Sequence, residues 1–291
     1  MYKLFAMDMD GTLLDKNKQI TPGVRKALME LQESGVTLTI ASGRFPASVW
    51  MHGKEIAASC PLIGLNGSVL LDPETGELLS GTPLRPEHAS SVAMLTEQRD
   101  MYIHFYGYNR LYVKELTELN RSWPLANVVV KEGRPLTDLD AGYQKASELI
   151  KVIPVGRLSS FAIGAMEPLY KATVICDDSE QLEQLYAELA TWGAFTLTRT
   201  GSRRFDINAA GVSKRSALAQ LCAEQNIAPE QVAAIGDYDN DTDMLRWAGL
   251  GIAMGNAADH IKRIAACTTA ANSENGVAQA IRDYLLTSPN P

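Results

Sequence analysis

Short apolar runs alternate with helix-length segments at both ends of this chain, and the alternation breaks in the middle. Near the start, "KLFAM" is an apolar run of strand length, as expected for a strand buried on both faces. "TPGVRKALMELQESG" follows as a helix: Thr21 is the N-cap, Pro22 the first helical residue, and Val24, Leu28 and Leu31 share one stripe that Gly35 ends. "VTLTIASGR" is a second strand, "ASVWMHGKEIAAS" a second helix and "PLIGLNG" a third strand. Near the other end, "KRSALAQLCAEQNI", "QVAAIGD", "DTDMLRWAG" and "LGIAM" read helix, strand, helix, strand; "DHIKRIAA" and "VAQAIRDYLL" are helices around a last short strand near Thr268. Such alternation predicts right-handed crossovers and a parallel sheet.

Between these ends the pattern differs. "SVLLDPETGELLS" reads as a hairpin around a Pro- and Gly-containing turn. A helix over Glu87–Gln98 then leads to "MYIHFYG" and "RLYVK", followed by a stretch of mixed helical and loop character to about Pro168. "YKATVIC", the helix "SEQLEQLYAELATWG" and "FTLTRT" complete it. The expected organisation is one α/β domain over residues 1–82 and 199–291, interrupted by an α+β insert with an antiparallel sheet over 83–198.

Composition limits the partners. A net charge of −7 argues against a nucleic-acid or anionic-membrane binder, which needs a basic face. No apolar run approaches the roughly 18 residues of a membrane span, and one lysine before a short strand does not read as a signal peptide. Cys60, Cys176, Cys222 and Cys267 show no paired spacing. They read as buried free thiols in a reducing, cytoplasmic setting rather than as a zinc site.

The chemistry gathers at strand ends. Asp8 and Asp10 close the first strand, in "DMDGT". An Asx turn or helix cap is one reading of such a pair. The other is a ligand site, since open parallel sheets bind ligands beyond the carboxyl ends of their strands. Carboxylates this close repel unless a cation lies between them or one is protonated, and the spacing suits an oxygen-liganded ion such as Mg²⁺. Ser42 ends the second strand as a turn residue or a phosphate donor. Lys214 opens a helix, as a solvated surface lysine or as a cation added to an anion-favouring helix N-terminus. "AAIGDYDNDTDML" carries a strand into Asp237, Asp239, Asn240, Asp241 and Asp243, further cation ligands if the two strands are neighbours. An EF-hand is excluded, because counting from Asp237 its glycine and its bidentate glutamate positions are Thr242 and Ala248. Arg44 either lines a substrate entrance or is a surface charge.

In order, "DMDGTLL", "SGR", Asn66-Gly67, "GVSK", "GDYDND", "MGNA" and "SENGVAQAI" span essentially the whole chain. This set resembles the haloacid dehalogenase (HAD) superfamily, and within it the Cof-type, subclass IIB phosphatases. The resemblance implies a Rossmann-like parallel core with an inserted α+β (C2B-type) cap domain, and a Mg²⁺-dependent phosphatase acting on small phosphomonoesters such as a sugar phosphate or a phosphorylated cofactor. By the family pattern Asp8 is the nucleophile that forms an aspartyl-phosphate, and Asp10 is the general acid and base. Asp8, the Asp10 carbonyl and Asp237 hold Mg²⁺. Ser42, Lys214 and the Met9 and Gly43 amides hold the phosphoryl oxygens, and Asn240 completes the phosphate pocket. Asp241 supports the metal-binding loop from outside the ligand set, and Thr12 orients the first loop. Arg215, where glycine is frequent, and Asn275, where aspartate is frequent, depart from the commonest pattern. A phosphomutase of related capped fold shares the nucleophile motif and is the rival enzyme. A non-catalytic phosphate-ligand-binding regulator is the rival outside catalysis, but it predicts a missing motif residue, and all are present.

Overall fold

The computed structural model describes residues 2–128 and 149–286, so residues 129–148 of the mixed stretch lie outside the described residues. Strands β1 (Leu4–Met7) and β2 (Thr37–Ile40) lie side by side in a parallel sheet with three strands from the other end of the chain. Strand β3 (Leu62–Gly64) joins β2 only through an Ala41–Ile63 bridge and instead pairs antiparallel with β4 (Val69–Leu71), which pairs with β5 (Leu78–Gly81). The expected third parallel strand is thus the start of a small three-stranded sheet that also contains the expected hairpin. Strands β6 (Tyr102–Tyr106), β7 (Arg110–Val113), β8 (Lys151–Pro154), β9 (Lys171–Ile175), β10 (Phe195–Gly201) and β11 (Arg204–Ala209) form a six-stranded sheet. All of its pairings are antiparallel except β7 with β8. The chain then returns through β12 (Val232–Gly236), β13 (Leu250–Ala253) and β14 (Cys267–Thr268), giving the parallel order β14-β13-β12-β1-β2.

Side-chain alternation along β1 explains its central place. Leu4 and Ala6 pack with Ala217, Leu218 and Leu221 of the helix Lys214–Glu224. Phe5 and Met7 face the other way, toward Val24, Leu28 and Leu31 of the helix Pro22–Glu33. A strand covered on both faces is apolar at every position, which is why it reads as a continuous run. The Thr21 hydroxyl accepts the Val24 amide and caps the first helix as expected. The six-stranded sheet has its own core, with Ile103, Phe105, Ala172, Val174, Phe205 and Ile207 packed on Leu182, Leu185 and Leu189.

Strand β11 is absent from the sequence reading, and its pairing extends the second sheet through Ala209, past the expected boundary at residue 198. Its sequence "RFDINA" alternates strictly: Phe205 and Ile207 enter the cap core, while Arg204, Asp206 and Asn208 take the opposite face.

Gly67 fixes how the helix Lys214–Glu224 meets the rest. Its φ is +102°, and a Cβ there would lie 2.1 Å from the Ser213 carbonyl oxygen. Replacing Gly67 by alanine is therefore expected to cost about 1–3 kcal/mol, for backbone strain alone, and to push the start of that helix outward. Urea unfolding of Gly67→Ala checks this; an unshifted midpoint would show that the contact is not tight.

Candidate active site

Register brings the predicted residues together. Met7 of β1 pairs with Ile235 of β12 on one side and with Ile40 of β2 on the other. The residues just past each strand, Asp8, Asp237 and Ser42, therefore emerge along one edge of the sheet, as expected for ligand sites in open parallel sheets. Ligand oxygens of Asp8, Asp237 and Asp241 lie within 4.8 Å of one another. Asp8 and Asp241 are buried, Asp237 partly so.

Lys214 stands against two of these carboxylates. Its buried ammonium donates to Asp8 Oδ1 at 2.5 Å and to Asp241 Oδ1 at 2.7 Å. The capping box of Ser213 and Ser216 fixes the helix start from which it projects. Asp241 Oδ2 accepts the amides of Asp237 and Tyr238, both at 3.0 Å, so each of its oxygens is occupied by the protein. Asp237 Oδ1 accepts the Thr12 hydroxyl at 2.9 Å, and Asn256 Nδ2 reaches Oδ2 at 3.3 Å. Asp8 Oδ2 takes no hydrogen bond among the described residues. Gly11 permits the crowding: its φ is +80°, and a Cβ would lie 2.2 Å from Asp237 Oδ2.

Asp10 sits in a different field. Arg44 grips it with two bonds of 2.6 Å, from Nε to Oδ2 and from Nη2 to Oδ1, and Lys18 adds a third of 2.6 Å. Arg44, read from sequence as an entrance or surface residue, is 7% exposed and holds this carboxylate. Ser42 is buried; its hydroxyl accepts the Arg44 amide at 3.3 Å. Asp8, Asp10, Ser42, Gly43, Asp237 and Asn240 line one chamber of about 590 Å³. Lys214 faces an adjoining chamber of about 330 Å³, and Asn66 and Asn240 line both. Met9 lies buried in the core beneath the loop. Arg215, exposed beside Lys214, makes no ion pair among the described residues.

Sequence reasoning missed the residues that the second sheet brings to this chamber. Lys171 of β9 donates to the Gly43 carbonyl at 2.8 Å and to Asp206 Oδ2 of β11 at 3.0 Å. Asn66 donates to the same Asp206 oxygen at 2.9 Å and accepts from Asn240 at 3.3 Å. The alternation in "RFDINA" was the available signal for Asp206 and Asn208.

The charges act unevenly. Burial, with Asp241 and Asp237 beside it, raises the Asp8 carboxyl well above the usual range, although Lys214 opposes the shift. Burial and Asp241 push Asp237 up to about 6 from 3.8. At Asp10 burial works upward too, but Arg44 and Lys18 outweigh it and hold the carboxyl well below its ordinary value. The cluster fits a divalent metal: its donors are hard oxygens, Asp8 Oδ2 is unused, and both the burial that raises Asp8 and Asp237 and the smaller repulsion between the carboxylates are offset by a bound cation.

A capped α/β enzyme with acidic and cationic groups converging on one strand edge is the class that this fold and site define. The chain belongs to the haloacid dehalogenase-like hydrolase family, whose model matches residues 5–281. It is similar to the phosphatase YwpJ of Bacillus subtilis, with 30% identity over 97% of this chain and 100% of the relative. It is also similar to the 5-amino-6-(5-phospho-D-ribitylamino)uracil phosphatase YwtE of the same organism, with 31% identity over 98% of each chain. The solved structure of a haloacid dehalogenase-like hydrolase from B. subtilis covers 97% of this chain and all of its own, with TM-score 0.82 and 27% identity. The chain is thus a Cof-type, HAD-family phosphoric monoester hydrolase. Among the described residues no helix is long and apolar enough to cross a membrane.

The raised carboxyls have a measurable consequence. Carboxyls whose folded pKa exceeds the unfolded value bind more protons when folded, so metal-free stability falls as pH rises from about 4 through about 6. Thermal unfolding in chelator is expected to show that fall, and added divalent cation to reverse it above about 6. A flat profile would contradict the electrostatic reading.

Proposed function

We propose that this protein is a Mg²⁺-dependent phosphatase that hydrolyses small-molecule phosphomonoesters through an aspartyl-phosphate on Asp8. The observation that carries the reading is Asp8 itself: a buried carboxylate at the sheet edge and in the acidic cluster, with one oxygen bound by Lys214 and the other without a hydrogen bond among the described residues. Asp8, Asp237 and the Asp10 carbonyl would hold the metal, which supplies charge neutralisation between the anionic nucleophile and the anionic phosphoryl group. Asp241 keeps the role of support, because its oxygens are already taken by Lys214 and two amides.

Asp8 attacks phosphorus, the bond to the leaving alcohol breaks, and Asp10 delivers a proton to the departing oxygen. Water then attacks the phosphorus, Asp10 takes its proton, and Asp8 is released with inorganic phosphate. Asp10 is held ionised by Arg44 and Lys18, which suits the second step. For the first, an incoming phosphate competes for the same two cations, which raises the carboxyl so that it takes up a proton from solvent before passing it to the departing oxygen. Ser42, the Met9 and Gly43 amides, Lys214 and Asn240 are the groups we assign to the phosphoryl oxygens. The named activities of the relatives, among them a phosphoribitylaminouracil phosphatase, support a small phosphorylated metabolite as substrate.

Asp8→Asn is expected to reduce phosphate release to background across a panel of phosphomonoesters while leaving the circular dichroism spectrum unchanged. Chelator is expected to abolish wild-type release, and Mg²⁺ to restore it. Full activity in either test would remove the nucleophile or the metal assignment.

A further inference from the structure

The cap side of the chamber carries a charge that the protein does not neutralise. Four cationic side chains line the chamber: Lys18, Arg44, Lys171 and Arg204. Lys18 and Arg44 are paired with Asp10, and Lys171 with Asp206. Arg204 has no carboxylate partner among the described residues. Its Nε donates to the Thr200 carbonyl at 3.1 Å, and its guanidinium stacks over the Trp123 ring at 5.4 Å. Those contacts orient the fork and, among the described residues, engage only one of its five N–H donors in a hydrogen bond.

Local backbone aims this arginine. The β10–β11 register shifts between Arg199 and Gly201, so Thr200 is an extra residue at the end of the hairpin. Bulges of this kind re-aim side chains. Thr200 also lines the chamber, and its Oγ1 is sheltered from solvent without any hydrogen-bond partner. Trp123 is held in turn, donating its indole N–H to Tyr106 Oη at 2.7 Å. Arg204, exposed and oriented by these contacts, and Thr200 therefore both line the chamber from the second sheet, with the Thr200 hydroxyl itself sheltered from solvent.

We propose that Arg204, oriented by the Thr200 carbonyl, is the specificity-determining residue of the cap, and that the preferred substrate is a phosphomonoester whose leaving alcohol carries a second anionic group. This rests on the phosphatase reading above. An arginine fork matches a carboxylate or phosphate with two parallel bonds, and an uncharged polyol cannot complete them. Asp206 does not oppose such a group, because its carboxylate is already bonded by Lys171, Thr173 and Asn66.

The test compares matched pairs with Mg²⁺ present: phosphoglycerate against glycerol phosphate, and phosphogluconate against glucitol phosphate, with p-nitrophenyl phosphate as a general reporter. The anionic member is expected to have the higher kcat/KM by roughly tenfold or more, chiefly through KM. Arg204→Gln is expected to bring that ratio toward one, and Arg204→Lys to retain part of it. A merely structural arginine would lower both members equally and leave the ratio unchanged, which would overturn the proposal. Equal or greater kcat/KM for the neutral members in wild type would overturn it too, while the phosphatase reading stands. No release from any ester, the reporter included, would instead be the failure of the phosphatase reading, and this proposal falls with it.

Discussion

The repulsion among Asp8, Asp237 and Asp241 is the constraint on which the rest of this structure depends. Three carboxylates with oxygens inside 4.8 Å would not be gathered by folding for its own sake. They are forced together because β1 and β12 are paired in register and end side by side. Lys214 offsets part of the cost from within the protein, and its two short bonds choose which oxygens remain for a cation. The same logic separates the two aspartates of the opening motif. Asp8 lies among acids and one lysine, while Asp10, two residues on, lies between an arginine and a lysine. Adjacent carboxyls in opposite fields are suited to different tasks.

The two halves of the molecule meet at this site through buried polar groups. Lys171 and Asp206 come from the six-stranded sheet, and Gly43 and Asn66 from loops of the α/β part. Asn66 links Asp206 to Asn240, beside the acidic cluster. Direct hydrogen bonds thus link the six-stranded sheet to the loop after β2 and, through Asn66, to Asn240. Such contacts suit a cap that shields the reaction from water when closed and releases product when open.

Much of this was legible in the sequence, for identifiable reasons. Strands β1, β2 and β12 are buried on both faces, so they appear as uninterrupted apolar runs, and their ends mark the site directly. Lys214 and Asp237 could be placed because each sits at an element boundary that local signals define. Strand β11 was lost because half of its residues are charged or amide side chains on the face opposite the cap core, and that half makes it look like loop. Arg44 remained undecided because its position beside Asp10 depends on where two loops converge. Arg204 and Lys171 were invisible for the same reason, since the chamber they line is completed by loops far from them in sequence.

Catalysis by this site depends on the covalent step at Asp8. Rapid acid quench during turnover of a phosphomonoester, followed by borohydride reduction and peptide mass spectrometry, reads it directly. The account predicts that the peptide containing "DMDGT" carries homoserine at position 8, the reduced trace of an acyl phosphate, only when substrate and Mg²⁺ are both present. Steady phosphate release with no modification at Asp8, or with the acyl phosphate on a different carboxylate, would contradict it.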